Sequence, residues 1–156
     1  MKIASIDIGT NAVKTKILET GPTLIKFIRS ERSTIRLAKE VFIEGQITKE
    51  KLDQLVAILQ NYKEIFDALE VKDYEIVATC AFRDTKNSEE ARRFIEHSIE
   101  HPIRIISGLE EAKLMRLHPE DENNKKDMIV DLGRRNTEIF MKEGSELAIG
   151  SFNLKE

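Results

Sequence analysis

Two short segments of this chain combine residue types that suit phosphate chemistry: Asp7-Ile8-Gly9-Thr10-Asn11 and Asp131-Leu132-Gly133. In each, an aspartate closes an apolar run and a glycine follows two positions later. The glycine lets backbone N–H groups approach phosphate oxygens, and hydroxyl and amide residues after it add donors. The aspartate can hold Mg²⁺ directly or through water. Hairpin turns use the same residue types, so one copy alone reads first as a turn. Two copies, each opening a three-strand meander, read as two related lobes with a phosphate chain held between two hairpins. A third candidate is Glu111. Ser107 and Glu110 have the spacing of a capping box, which puts Glu111 in a first helical turn. There the macrodipole keeps a carboxylate ionised and able to take a proton from water. Read alone, Glu111 is an ordinary first-turn acid, Arg83 a solvated arginine, and Arg36 equally site or surface.

The elements that must position these residues follow from pattern. Residues 2–7 and 13–18 alternate as strands around the Ile8–Asn11 turn chemistry, and 24–29 reads as a third strand after Gly21-Pro22. Residues 30–46 read as loop with short strand content. Thr48 can cap a helix whose stripe runs Leu52, Leu55, Val56, Leu59, Tyr62, Ile65, Phe66 and Leu69. That stripe is too short and wide for a coiled coil, so the helix packs on the sheet. Residues 74–79 predict a buried strand, with Cys80 a small core residue at its end. Asn87 or Ser88 caps a second helix through Ala91, Phe94, Ile95 and Ile99, which His101-Pro102 stops. Residues 103–106 predict a further strand, and the capping box opens a helix through Leu117. The polar stretch 119–127 reads as a loop, and 127–132, 137–141 and 147–152 as a second meander.

Composition narrows the function classes. The 156 residues, 40% hydrophobic and 34% charged, are enough for a real core. A net charge of −3 supplies no global positive field for nucleic acid or an anionic membrane. No apolar run approaches the roughly 18 residues of a transmembrane helix, and an acid inside the first apolar stretch argues against a secretory signal. A single cysteine excludes an internal disulfide and a cysteine-based zinc site. His97, His101 and His118 have no metal-ligand spacing and read as surface residues. The expectation is a cytoplasmic protein.

Five segments together resemble the exopolyphosphatase/guanosine pentaphosphate phosphatase family of the actin-like ATPase superfamily: Asp7-Ile8-Gly9-Thr10-Asn11, Ile35-Arg36-Leu37, Ala78-Thr79-Cys80-Ala81-Phe82-Arg83, Ile105-Ile106-Ser107-Gly108-Leu109-Glu110-Glu111-Ala112 and Ile129-Val130-Asp131-Leu132-Gly133. They occur in family order across nearly the whole chain. The resemblance implies an α/β, ribonuclease H-like fold, with a complete first lobe over 1–120 and the start of a second over 121–156. It implies that Gly9, Thr10, Asn11 and Arg83 bind phosphate, joined by Gly133 and Thr137 of a second loop ending at Glu138. Glu111 would activate the attacking water, and Asp7 and Asp131 would hold Mg²⁺. Family members remove the terminal phosphate of inorganic polyphosphate or guanosine pentaphosphate.

Two departures set a second reading beside this one. Where the family's second loop has a run of glycines, this chain has Gly133-Arg134-Arg135-Asn136. Those guanidinium groups either grip a polyanion in place of the lost amide cradle or turn to solvent. The chain also stops where the family's second lobe continues. It would then be a shortened homologue, a fragment, or one half of an oligomer in which a second copy covers the incomplete lobe. Enzyme activity is the leading expectation. The competing one is a non-catalytic module that binds polyphosphate or a nucleotide.

Overall fold

The first 34 residues fold into three antiparallel strands because apolar residues recur every second position and glycine turns separate the runs. The computed structural model describes residues 1–115, 128–132, 136–143 and 146–153. Strands β1 (Lys2–Ile8), β2 (Ala12–Thr20) and β3 (Ile25–Thr34) form the meander. β4 (Asp73–Ala78) then pairs parallel to β1, and β5 (Arg104–Ile105) parallel to β4, giving one sheet in the order β3-β2-β1-β4-β5. Alternation puts Ala4, Ile6 and Ile8 of β1, Val13, Thr15 and Ile17 of β2, and Ile76 and Ala78 of β4 on the buried face.

That face is closed by the predicted helices. Helix α1 (Lys49–Ala68) starts at Thr48, whose side chain accepts from Lys51 N, and buries Leu52, Leu55, Leu59, Tyr62 and Phe66. The Tyr62 hydroxyl donates to the Val13 carbonyl at 3.0 Å and lies 2.9 Å from the Ser33 hydroxyl, which ties α1 to the meander. Helix α3 (Ser88–Ile99) adds Ala91, Ile95 and Ile99 to the same core. A one-turn helix, α2 (Cys80–Arg83), lies between β4 and α3.

Several details differ from the sequence-based expectation. β3 runs on to Thr34, because pairing with β2 carries the polar 30–34 stretch into the sheet. Beyond it, Glu40–Glu44 forms a π-type turn closed by Gly45 at φ 72°, where a left-handed conformation favours glycine. Asn87 flanks α3 without capping it. Its side chain accepts from Ile47 N and donates to Ile47 O, both at 2.9 Å, as a strand neighbour would. α3 ends at Glu100, which takes φ 54°, so the helix stops before His101-Pro102 is reached. His101 is half-buried and stacks on Tyr74 with ring centroids 4.0 Å apart, while His97 is exposed. His118 and Leu117 lie outside the described residues. The expected strand at 103–106 pairs over two residues only, and Cys80 heads α2, half-buried.

One buried atom is left over. Thr15 is 2% exposed and its hydroxyl oxygen has no hydrogen-bond partner among the described residues. An unsatisfied buried polar group costs about 1–3 kcal/mol. Thr15→Val, which keeps the β-branched shape and removes the orphan, is expected to stabilise the fold by about 1 kcal/mol. A rise in the urea midpoint at unchanged slope would show it.

The chain divides into two compact units, Met1–Ile106 and Ser107–Glu156. The boundary therefore precedes the capping-box helix, whereas the sequence reading set it near residue 120, outside the described residues. The later unit contains α4 (Gly108–Met115) and an antiparallel sheet in the order β6-β7-β8, made of β6 (Met128–Leu132), β7 (Asn136–Glu143) and β8 (Glu146–Asn153). This is the expected second meander. The 119–127 stretch is outside the described residues. Among the described residues no helix is long and apolar enough to cross a membrane.

Candidate phosphate site

β1, β4 and β5 run parallel, so their carboxyl ends lie along one edge of the sheet, where open α/β sheets bind ligands. Three backbone bonds knit that edge together. Gly9 N donates to Ala12 O (3.1 Å) and closes the β1–β2 hairpin. Thr79 N donates to Ile8 O (3.4 Å), and Ile106 N to Ala78 O (3.1 Å). A Cβ on Gly9 would sit 3.3 Å from Ala12 O, tighter than a side chain accepts without a shift. The hairpin thus depends on glycine for a close approach.

The residues after β3 brace the hairpin. Leu37 N donates to Thr10 O (2.6 Å), while Ile35 N and Arg36 N both donate to Asn11 O (3.1 and 3.2 Å). Ile35 and Leu37 are 3% and 0% exposed, so this brace is anchored in the core. Arg36 between them is exposed at φ 57°, a left-handed conformation that costs a non-glycine residue roughly 1–2 kcal/mol. The sequence shows Arg36 as a cation. It does not show that its backbone clamps the Thr10-Asn11 loop.

Arg83 closes the short helix α2. Thr79 O accepts from both Phe82 N (3.0 Å) and Arg83 N (3.1 Å), and the Arg83 guanidinium donates through Nη1 to Ile106 O (2.9 Å). The guanidinium is therefore held at the carboxyl end of β5, half-buried. The structure thus brings Gly9, Thr10, Asn11, Arg83 and the half-buried Asp7 to one edge of the first unit. Mg²⁺ needs only one or two carboxylates when phosphate oxygens and water complete its shell. Asp7 suits that mode. Among the described residues no three His, Cys, Asp or Glu stand together as a metal cage.

The later unit carries the remaining candidates. The capping box forms in full: Glu110 N donates to Ser107 Oγ (3.2 Å) and Ser107 N to Glu110 Oε2 (2.9 Å). Glu111 N donates to Ser107 O (3.0 Å), which fixes Glu111 in the first turn of α4, half-buried. Asp131 stands opposite Glu138, and Leu132 opposite Thr137, in the β6–β7 register. Gly133, Arg134 and Arg135 lie outside the described residues.

The fold has counterparts among known proteins. Residues 16–149 match the Ppx/GppA phosphatase family. An Aquifex aeolicus Ppx/GppA family member superposes with TM-score 0.81 at 24% identity, covering 98% of this chain and 51% of that one. An exopolyphosphatase from Cytophaga hutchinsonii superposes with TM-score 0.86 at 23% identity, covering 99% and 51%. The ethanolamine utilization protein EutJ from Carboxydothermus hydrogenoformans is more distant, with TM-score 0.54 and 12% identity over 98% and 52%. This chain spans about half the length of each of these structures. Its mixed α/β fold is that of the actin-like Ppx/GppA proteins, and the chain belongs to the Ppx/GppA phosphatase family.

Proposed function

We propose that this chain is a phosphatase domain that hydrolyses the terminal phosphoanhydride of inorganic polyphosphate or guanosine pentaphosphate in the cytoplasm. The observation that carries the reading is the braced edge of the first sheet, where Asp7, the Gly9–Asn11 hairpin and Arg83 meet at the carboxyl ends of parallel strands. Phosphoryl transfer asks mainly for positioning and charge neutralisation. Backbone donors and the hydroxyl of Thr10 would orient the phosphoryl group, and Arg83 would balance its charge. Asp7, with Asp131, would hold Mg²⁺, which when bound supplies positive charge at the phosphoryl oxygens. Glu111 would take the proton from the attacking water, and Gly133 and Thr137 would belong to the second phosphate loop.

The arginine pair 134–135 favours a second reading, a module that binds the polyanion without turning it over. Phosphate release from long-chain polyphosphate and from guanosine pentaphosphate, with Mg²⁺ and with chelator, separates the two. Release that depends on Mg²⁺ is expected. Binding without release from either substrate, in folded protein, would replace the hydrolase by the binding module.

A further inference from the structure

Among the described residues three that are not glycine take a left-handed conformation: Arg36, Glu70 and Glu100. Glu70 follows α1 and Glu100 caps α3, and a left-handed residue is a common way for a helix to end. Arg36 ends no helix. It lies between β3 and the π-type turn, flanked by the buried Ile35 and Leu37. Its backbone is fixed from both sides. Ile35 N and Arg36 N share the Asn11 carbonyl, Leu37 N takes that of Thr10, and Lys51 Nζ donates to Ile35 O at 2.9 Å. Strain of this kind persists only where the surroundings over-determine it, and it gathers at functional sites.

The brace itself has no use for the arginine side chain. It is built from backbone groups and two buried neighbours, and Arg36 adds only its N–H. Glycine would adopt φ 57° at no steric cost, and asparagine at little. Arginine keeps the strain and contributes a cation. That cation is uncommitted. Arg29, Arg92, Arg93 and Arg104 each engage a carboxylate, and Arg83 the Ile106 carbonyl. The exposed Arg36 guanidinium makes no hydrogen bond or ion pair among the described residues. Its anchor stands beside the Thr10-Asn11 loop, on the β3 side of the hairpin, whereas Arg83 follows β4 on the other side.

We propose that Arg36 is a second arginine of the phosphate site, which grips a phosphate of a phosphoanhydride ligand at the Gly9–Asn11 hairpin from the side opposite Arg83. The planar guanidinium fork matches phosphate oxygens. The fixed backbone holds the Cα beside the loop, so only the side chain has to be ordered when the ligand arrives. The fold gives up stability at Arg36 in exchange for affinity. This inference rests on the reading of the hairpin as a phosphate loop, but not on turnover.

The test measures stability and affinity on the same variants. Arg36→Gly and Arg36→Asn both accept the left-handed backbone, and Lys39→Gln removes a neighbouring exposed cation as a control for general charge. The ligand is methylenediphosphonate with Mg²⁺, whose P–C–P bridge cannot be hydrolysed. The urea midpoint of Arg36→Gly and Arg36→Asn should equal or exceed that of wild type, while diphosphonate affinity falls roughly tenfold or more, the worth of a hydrogen bond to a charged group. Lys39→Gln should bind within about twofold of wild type, since an exposed charge at the rim contributes little. Undiminished affinity in the two Arg36 variants would overturn the proposal, and so would an equal loss in Lys39→Gln. A lower urea midpoint in both Arg36 variants would make the side chain part of the brace, which also overturns it. Wild type that does not bind the diphosphonate would remove the phosphate loop and this inference together. Binding that depends on Arg36, without phosphate release from tripolyphosphate, would uphold the inference and refute only the hydrolase.

Discussion

Glu111→Gln is expected to lower Mg²⁺-dependent phosphate release by about 10²–10⁴-fold, the usual contribution of a positioned general base, while affinity for polyphosphate is retained. Glutamine keeps the size and hydrogen-bonding capacity of the side chain but cannot take a proton from water. The fold should tolerate the change, because Ser107 and Glu110 satisfy the start of α4 without Glu111. The first-turn charge that the change removes from the macrodipole is worth about 0.3–1 kcal/mol. Single-turnover phosphate release and equilibrium binding, measured on the same preparation, divide the outcomes. Turnover equal to wild type would remove Glu111 from the chemistry. Joint loss of binding and turnover would make it a binding residue.

The sequence made the periodic parts of this fold legible. The α1 stripe, the Thr48 cap and the Ser107–Glu110 box are local patterns with local causes, and each forms as read. The features it concealed depend on partners distant in the chain. Nothing in the polar 30–34 stretch announces a strand; β2 imposes it. The brace of the Thr10-Asn11 loop arises because Ile35 and Leu37 bury themselves and force Arg36 into a left-handed conformation. Thr79 and Cys80 read as the end of a buried strand, yet Thr79 O gathers two N–H groups and starts α2. The faces of β3 depend on the pairing register, which is interrupted between Ile17 and Leu18. The irregularity pairs Leu18 with Phe27 and leaves Phe27 57% exposed, while Arg32 keeps its place opposite Lys14. Side-chain parity across such an irregularity cannot be counted from sequence, because a one-residue slip exchanges the two faces.

Phe82→Ala is expected to be the most destabilising single change considered, at about 3–5 kcal/mol, the cost of emptying a buried phenyl site. Against a total stability of about 5–15 kcal/mol, that is a large share of the folding margin. The argument concerns α2 as much as the cavity. A helix of four residues has no stability of its own, and α2 is held by the Thr79 carbonyl and by burial of Ala81 and Phe82, both 0% exposed. Removing the ring releases the turn that carries Arg83, and with it the guanidinium tether to Ile106 O. The variant should therefore lose phosphate affinity under conditions where it is still folded. Phe82→Leu, which retains most of the apolar volume, should cost less in both respects. Urea unfolding and phosphate binding of the two variants test the coupling. A loss below about 1 kcal/mol for Phe82→Ala, well under the usual cost of emptying a buried phenyl site, would mean that backbone hydrogen bonds alone hold α2. Arg83 would then owe its position to Thr79 rather than to the core.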